Sequence, residues 1–195
     1  MLSRISKLDL GRIAKMSWRL SSAETALLVV DVQEKLVAAV KEPSDWLARL
    51  EILVKGASLL GVPIVVTEQV PAKLGKTVPA VLEAAGRGCK PIAKTSFSAA
   101  EQGKVFSKRR ILVAGCEAHV CIRQTVYDLR LKEFTPIVVA DAIGSRRERD
   151  REIALAEMRA DRVVVTTVEA VLFEMLETAD HKCFKDIQAL LKLTV

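Results

Sequence analysis

Cys121 closes the stretch ILVAGCEAHVC, Ile111 to Cys121, in a chain of 195 residues. Four apolar residues run into Gly115, a short polar turn follows, and the cysteine falls where a helix begins. A strand that empties into a glycine turn, with a thiol at the next helix N-terminus, is an arrangement that can activate a nucleophile. The turn supplies backbone N–H groups, and the helix end favours negative charge on sulfur. Taken alone, burial is the commoner fate of a cysteine beside a strand. Two other residues shift that balance. Asp31 ends the apolar run ALLVV, and Lys94 ends the short run PIAK. A thiol at neutral pH is mostly protonated, so it needs a base. Asp31 can take its proton, while Lys94 can hold Asp31 ionised and offset the charge on sulfur. Singly, Asp31 reads as a helix cap, Lys94 as a solvated strand-end charge and Cys121 as core. Their placement together depends on the elements between them.

Those elements alternate. Apolar runs too short for buried helices fit strands covered on both faces at Ala26–Val30, Val62–Thr67, Pro91–Lys94, Arg110–Ala114, Pro136–Ala140 and Arg162–Thr166. Between them the sequence predicts helices over Asp45–Leu60, capped by Ser44 and closed by Gly61, and over Val78–Ala85. Further helices are predicted over Ala99–Ser107 behind Ser98, His119–Glu133, Glu148–Arg159, and Val168–Thr178 behind Thr167. A last, peripheral helix lies within Ala179–Val195. Glu68–Thr77 and Asp141–Ser145 read as loops. The fold class is therefore α/β: a three-layer α/β/α arrangement with a six-stranded parallel sheet in the order 3-2-1-4-5-6. Ligands bind such sheets beyond the carboxyl ends of the strands, at the topological switch point. Strands one and four are neighbours there, so Asp31 and Cys121 can meet, and the long stem of Lys94 spans the remaining distance.

Composition narrows the function classes. Half the residues are apolar and 28% are charged, enough for one well-packed domain over 23–195. Residues 1–22 read as a basic N-terminal extension, with Arg4, Lys7, Arg12, Lys15 and Arg19 against Asp9. That stretch is either a fraying tail or a targeting or partner helix. Aromatics make up only 4% and no basic stripe runs among them, which argues against nucleic-acid binding. No apolar run is long enough for a membrane span. The turn after strand one, DVQEKL, lacks the glycines a pyrophosphate needs. Four cysteines without a CxxC pair, and only two histidines, give no zinc set and fit a reducing compartment. The cytoplasm is expected, with the mitochondrion the alternative if the source is eukaryotic.

Six stretches, in order, give the chain a resemblance to the isochorismatase-like cysteine hydrolases, within them to the subgroup of isochorismatase domain-containing proteins. They are LLVVDVQEK, VVTEQVPAKLGKTVP, KTSFS, GCEAHVCIRQTVYDL, VVADAIGSR and HKCFKDIQALLK. The resemblance implies Asp31 as general base, Lys94 as its charged partner and Cys121 as nucleophile. It also implies a cis peptide at Cys116–Glu117 that aims backbone N–H groups at an oxyanion, with Glu117 and Ala118 lining the pocket. Phe97 is then a hydrophobic wall, and Glu68 with Gln69 a polar rim. Neither His119 nor His181 sits in the Asp-x-His element that holds metal in the nicotinamidase branch, so no metal and no cofactor are expected. The implied activity is hydrolysis of an amide- or carbamoyl-type C–N bond in a small-molecule substrate by a homo-oligomer. The competing expectation is an interaction or regulatory protein that retains the hydrolase fold.

Overall fold

The computed structural model describes residues 19–40, 43–103 and 107–192. Six parallel strands form one sheet in the order β3-β2-β1-β4-β5-β6, as the alternation of apolar runs predicts. They are β1 Thr25–Val30, β2 Ile64–Gln69, β3 Ile92–Lys94, β4 Arg110–Cys116, β5 Thr135–Gly144 and β6 Val164–Thr166. The helices are α1 Glu34–Ala39, α2 Trp46–Leu59, α3 Pro71–Leu74, α4 Pro79–Ala85, α5 Ala100–Gly103, α6 Arg123–Leu131, α7 Glu148–Ala160, α8 Val168–Leu176 and α9 Phe184–Lys192. A π-turn, Ala118–Ile122, leads into α6.

Side-chain alternation along the central strands builds two cores. Leu27 and Val29 of β1, with Leu112, Ala114 and Cys116 of β4, pack towards α2, α8 and α9. Ala26, Leu28 and Val30, with Ile111 and Val113, pack towards the π-turn, α6 and α7. Every residue of β1 is buried, as a strand covered on both faces requires. Leu20, placed by the sequence in the N-terminal extension, belongs to the first core, and its N–H donates to the Glu174 carboxylate at 3.0 Å. Residues 1–18 of that extension lie outside the described residues.

Several expectations are corrected. The stretch after β1 forms α1, a helix with no buried residue and hence no apolar stripe to announce it. Ser44 is not the cap of α2; Asp45 occupies that position, without a side-chain cap bond. Glu68–Thr77 is no loop throughout, since β2 runs on to Gln69 and Pro71 starts α3. Nor is Asp141–Ser145, because β5 continues to Gly144. β4 itself extends through Gly115 and Cys116, and these pair with Ile143 and Gly144 after a register shift. The helix expected over Ala99–Ser107 is present as Ala100–Gly103, and 104–106 lie outside the described residues. Thr167 caps α8 as predicted, its hydroxyl accepting from the Ala170 N–H at 3.5 Å. No helix among the described residues is long and apolar enough to cross a membrane.

Two glycines allow β4 and β5 to reach the site. Gly115 has φ +118°, and a Cβ there would lie 2.1 Å from the Val30 carbonyl oxygen. At Gly144 a Cβ would lie 2.4 Å from Val40 Cγ1 and 2.8 Å from the Trp46 ring. The first contact is with backbone of the adjacent strand, which cannot yield. Gly115→Ala is therefore expected to lose at least about 3 kcal/mol of stability, or to prevent folding. Urea denaturation of the soluble variant checks this, and a loss below about 1 kcal/mol would contradict the close approach of the two strands.

Candidate functional site

β1 ends at Val30, and Asp31 turns out of the strand with φ +54°. This left-handed conformation, uncommon for a side chain other than glycine, asparagine or aspartate, ends the extended course of β1. The carboxylate is fully buried and fully engaged. Lys94 Nζ donates to Asp31 Oδ2 at 2.6 Å, and the Thr67 hydroxyl donates to Oδ1 at 2.8 Å. Lys94 enters from β3, two strands away, with its side chain 1% exposed. Its ammonium also reaches Gln69 Oε1 at 2.8 Å and the carbonyls of Phe97 at 2.9 Å and Ser96 at 3.1 Å. A buried ion pair is tolerable only when its remaining hydrogen-bonding capacity is filled in this way.

A second tier holds the first. The Gln33 side chain accepts from the Gln69 N–H at 2.7 Å and donates to the Gln69 carbonyl at 3.1 Å and the Gly75 carbonyl at 2.7 Å. Gln69 Nε2 donates to the Thr95 carbonyl at 2.7 Å, which fixes Oε1 toward Lys94. Glu68 accepts from both the N–H and the hydroxyl of Thr77, at 2.7 and 2.8 Å.

Cys121 lies in the π-turn directly beyond β4 and is 6% exposed. Asp31, Lys94 and the Glu117 backbone lie near enough to its thiol to act on its charge. The Cys116–Glu117 peptide bond is cis. Cys116 faces the other core, its thiol donating to the Asp31 carbonyl at 3.2 Å. Thr125 braces the π-turn from α6, its hydroxyl donating to the Cys121 carbonyl at 2.6 Å and accepting from the Ala99 N–H at 2.8 Å. The Ala118 N–H is taken by the Ser145 hydroxyl at 3.1 Å. Glu117 is buried, and its Oε1 accepts from the Arg146 N–H at 3.0 Å and from Arg146 Nε at 2.9 Å.

Asp31, Lys94 and Cys121 thus converge, with Gln69 beside them and Cys116, Glu117 and Ala118 forming the adjacent turn. Gln69 is interior rather than a rim. Glu68 clasps Thr77, and Phe97 meets Lys94 through its carbonyl while its ring is 54% exposed. Sequence reasoning missed Thr67, Gln33, Ser145 and Arg146. Thr67 and Gln33 flank residues already singled out, and their buried polar character is the signal that was available. Ser145 was hidden in a stretch read as loop, and Arg146 lies between that stretch and the helix predicted from Glu148. Among the described residues no group of three or more His, Cys, Asp or Glu side chains is placed to hold a metal ion.

The electrostatics correct one expectation. The sequence places Cys121 where a helix end favours thiolate. In the fold, burial first and then the Asp31 charge push the thiol up to about 12, with the Asp31 hydrogen bond adding to the rise. The Lys94 charge and the Glu117 N–H oppose this and are outweighed. The resting sulfur is therefore held as a thiol beside a carboxylate.

The chain matches the family model of the isochorismatase domain over residues 25–170. It is 36% identical over 179 residues to isochorismatase domain-containing protein 2 of Danio rerio, covering 89% of each chain. With the protein of that name from Homo sapiens it shares 36% identity over 179 residues, 89% of this chain and 86% of the other. Among solved structures, the MAR1 ribonuclease of Caenorhabditis elegans superposes with a TM-score of 0.84 at 33% identity, covering 89% of this chain and 92% of that one.

The ion pair yields a stability test. Lys94→Met leaves the Asp31 carboxylate buried without its cation and is expected to cost about 3–5 kcal/mol. Adding Asp31→Asn to that variant should recover part of the loss, because the uncompensated charge is then removed. Urea unfolding of both variants reads the coupling, and a double variant no more stable than Lys94→Met would contradict it.

Proposed function

The chain belongs to the isochorismatase-domain family, and from that premise we propose that it is a cysteine hydrolase of an amide- or carbamoyl-type C–N bond in a small molecule. The observation that carries this reading is the burial of the Cys121 thiol beside a carboxylate that Lys94 pairs at 2.6 Å.

The steps follow from that contact. The Cys121 proton passes to an Asp31 oxygen as sulfur bonds the substrate carbonyl carbon, and the carbonyl oxygen takes up the negative charge. The Glu117 N–H faces the sulfur and the Ala118 N–H is committed to Ser145, so the Cys121 N–H is the proposed donor to that oxyanion. Asp31 then gives its proton to the leaving nitrogen, the C–N bond breaks and a thioester remains. Asp31 next takes a proton from water, the resulting hydroxide attacks the thioester, and the carboxylic or carbamic acid leaves as the thiol is restored. Lys94 holds the Asp31 carboxylate in place throughout.

Arg146 supplies a substrate preference. Buried Glu117 fixes its Nε and backbone N–H, and among the described residues its two terminal nitrogens make no hydrogen bond. An amide or ureido compound carrying a carboxylate would find a bidentate partner there. The ribonuclease name of the Caenorhabditis elegans relative suggests phosphodiester cleavage instead. The site favours that less, because Lys94 is saturated by four acceptors and is not available to a phosphate. The homo-oligomer implied by the family belongs to the same proposal, with exposed Leu59 and Phe173 on the packed helices α2 and α8 as its apolar surface.

Two measurements test the reading. Incubation with a panel of small carboxylate-bearing amides and ureido acids should give a turnover that falls at least about 10³-fold in Cys121→Ala and in Asp31→Asn. Turnover preserved in Cys121→Ala would sink it. The raised thiol also predicts that carboxamidomethylation of Cys121 by iodoacetamide accelerates with pH without levelling near 8.5, the ordinary thiol range, since the folded thiol titrates at about 12. Asp31→Asn removes the charge and the carboxylate hydrogen bond that raise the thiol, so alkylation at pH 8 should speed up while turnover falls. An interaction protein that merely retains the fold would show the first change without any turnover to lose.

A further inference from the structure

On the outer side of the π-turn, a cleft of about 230 Å³ lies between the turn, α6 and α7, lined by His119, Arg123, Asp150, Ile153, Ala154 and Glu157. His119 is the member that reaches inward. Its Nδ1 lies 3.2 Å from the hydroxyl of fully buried Ser145, and its Nε2 lies 4.0 Å from Asp150 Oδ2 at the cleft wall. Ser145 Oγ in turn accepts the Ala118 N–H at 3.1 Å.

The direction of these bonds is set by the hydroxyl. A buried hydroxyl has one proton to place. Its oxygen already accepts from Ala118, and the partner within reach for its own proton is His119 Nδ1. That assigns the imidazole proton to Nε2, on the side of Asp150. The chain of donation therefore runs from the Ala118 N–H to Ser145 and from Ser145 to His119, with Asp150 turned to the far ring nitrogen. Ala118 opens the π-turn that carries Cys121.

We propose that His119 is a positioning residue: through Ser145 it pins the Ala118 amide and so holds the turn that carries Cys121. The inference rests on Cys121 as nucleophile for its purpose, but the arrangement itself is a matter of hydrogen bonding. His119 touches neither the sulfur nor Asp31. The Arg123–Glu157 ion pair at 2.6 Å flanks it from α6 and α7, so the ring sits between a polar wall and the buried hydroxyl.

The test compares His119→Leu, His119→Asn and Ser145→Ala in the full chain. Asparagine can place Oδ1 where Nδ1 stands and accept the Ser145 proton, whereas leucine cannot. The first readout is the Ala118 amide by NMR. Its hydrogen-exchange protection should fall about tenfold in His119→Leu and in Ser145→Ala, the size of one neutral hydrogen bond, and return to within about twofold of the native value in His119→Asn. The second is the rate of Cys121 alkylation by iodoacetamide, read by intact mass, which should slow in His119→Leu and recover in His119→Asn. A residue that only fills space would not be rescued by the smaller polar side chain. Unchanged Ala118 protection in His119→Leu, or equal impairment in the leucine and asparagine variants, overturns the proposal. Native amide behaviour is measured without substrate, so a failed turnover assay would count against the hydrolase reading and leave this one standing.

Discussion

A lysine ammonium and an aspartate carboxylate 2.6 Å apart, both out of water, are the constraint on which the rest of the site depends. Neither charge is tolerable there alone. Each therefore needs its remaining hydrogen-bonding positions filled, and that need determines the neighbours. Thr67 covers the second carboxylate oxygen, Gln69 and two carbonyls cover the ammonium, and Gln33 with Thr95 fixes Gln69. The network gathers the ends of β1, β2 and β3 into one unit. Cys121 then arrives from beyond the fourth strand into a place where a buried carboxylate is already in position.

The same burial has a chemical cost that the fold turns to use. A thiol beside an unsolvated carboxylate is harder, not easier, to ionise. In the proposed mechanism free thiolate is scarce at rest, and sulfur bonds a carbonyl carbon only as its proton leaves. On that proposal, selectivity among electrophiles would come from the coupling of proton transfer to attack. The helix end that the sequence offers as an activating device is the smaller influence, because desolvation in a closed site outweighs a turn dipole.

Much of the architecture was legible in the sequence because burial on both faces leaves an unmistakable trace. ALLVV, PIVVA and ILVA can be little else than interior strands, and their alternation with helices fixes the strand order and brings Asp31, Lys94 and Cys121 to one edge. What escaped notice is equally physical. α1 is six residues long and only half-buries Leu36 and Val37, too little to leave a periodicity. The far half of β5 carries an aspartate and a glycine, and becomes strand only because β4 bends at Gly115 and offers it a partner. Ser145 at its end was hidden for the same reason. The rise in the Cys121 thiol depends on how deeply the turn is covered, which no local pattern encodes.

Gln33 has a consequence beyond bracing. With Asp31 swung out of extended geometry, β1 no longer offers its backbone to the end of β2. The Gln33 amide takes over, accepting the Gln69 N–H and donating to the Gln69 carbonyl as a neighbouring strand would. The sheet is in effect prolonged by a surrogate rung made of side chain. β2 keeps its straight course to the point where Gln69 meets Lys94, while the main chain of β1 is free to turn aside. The backbone lattice between the first and second strands is thus closed past Asp31 by a glutamine side chain, and that leaves the Asp31 carboxylate free to turn toward the end of the fourth strand.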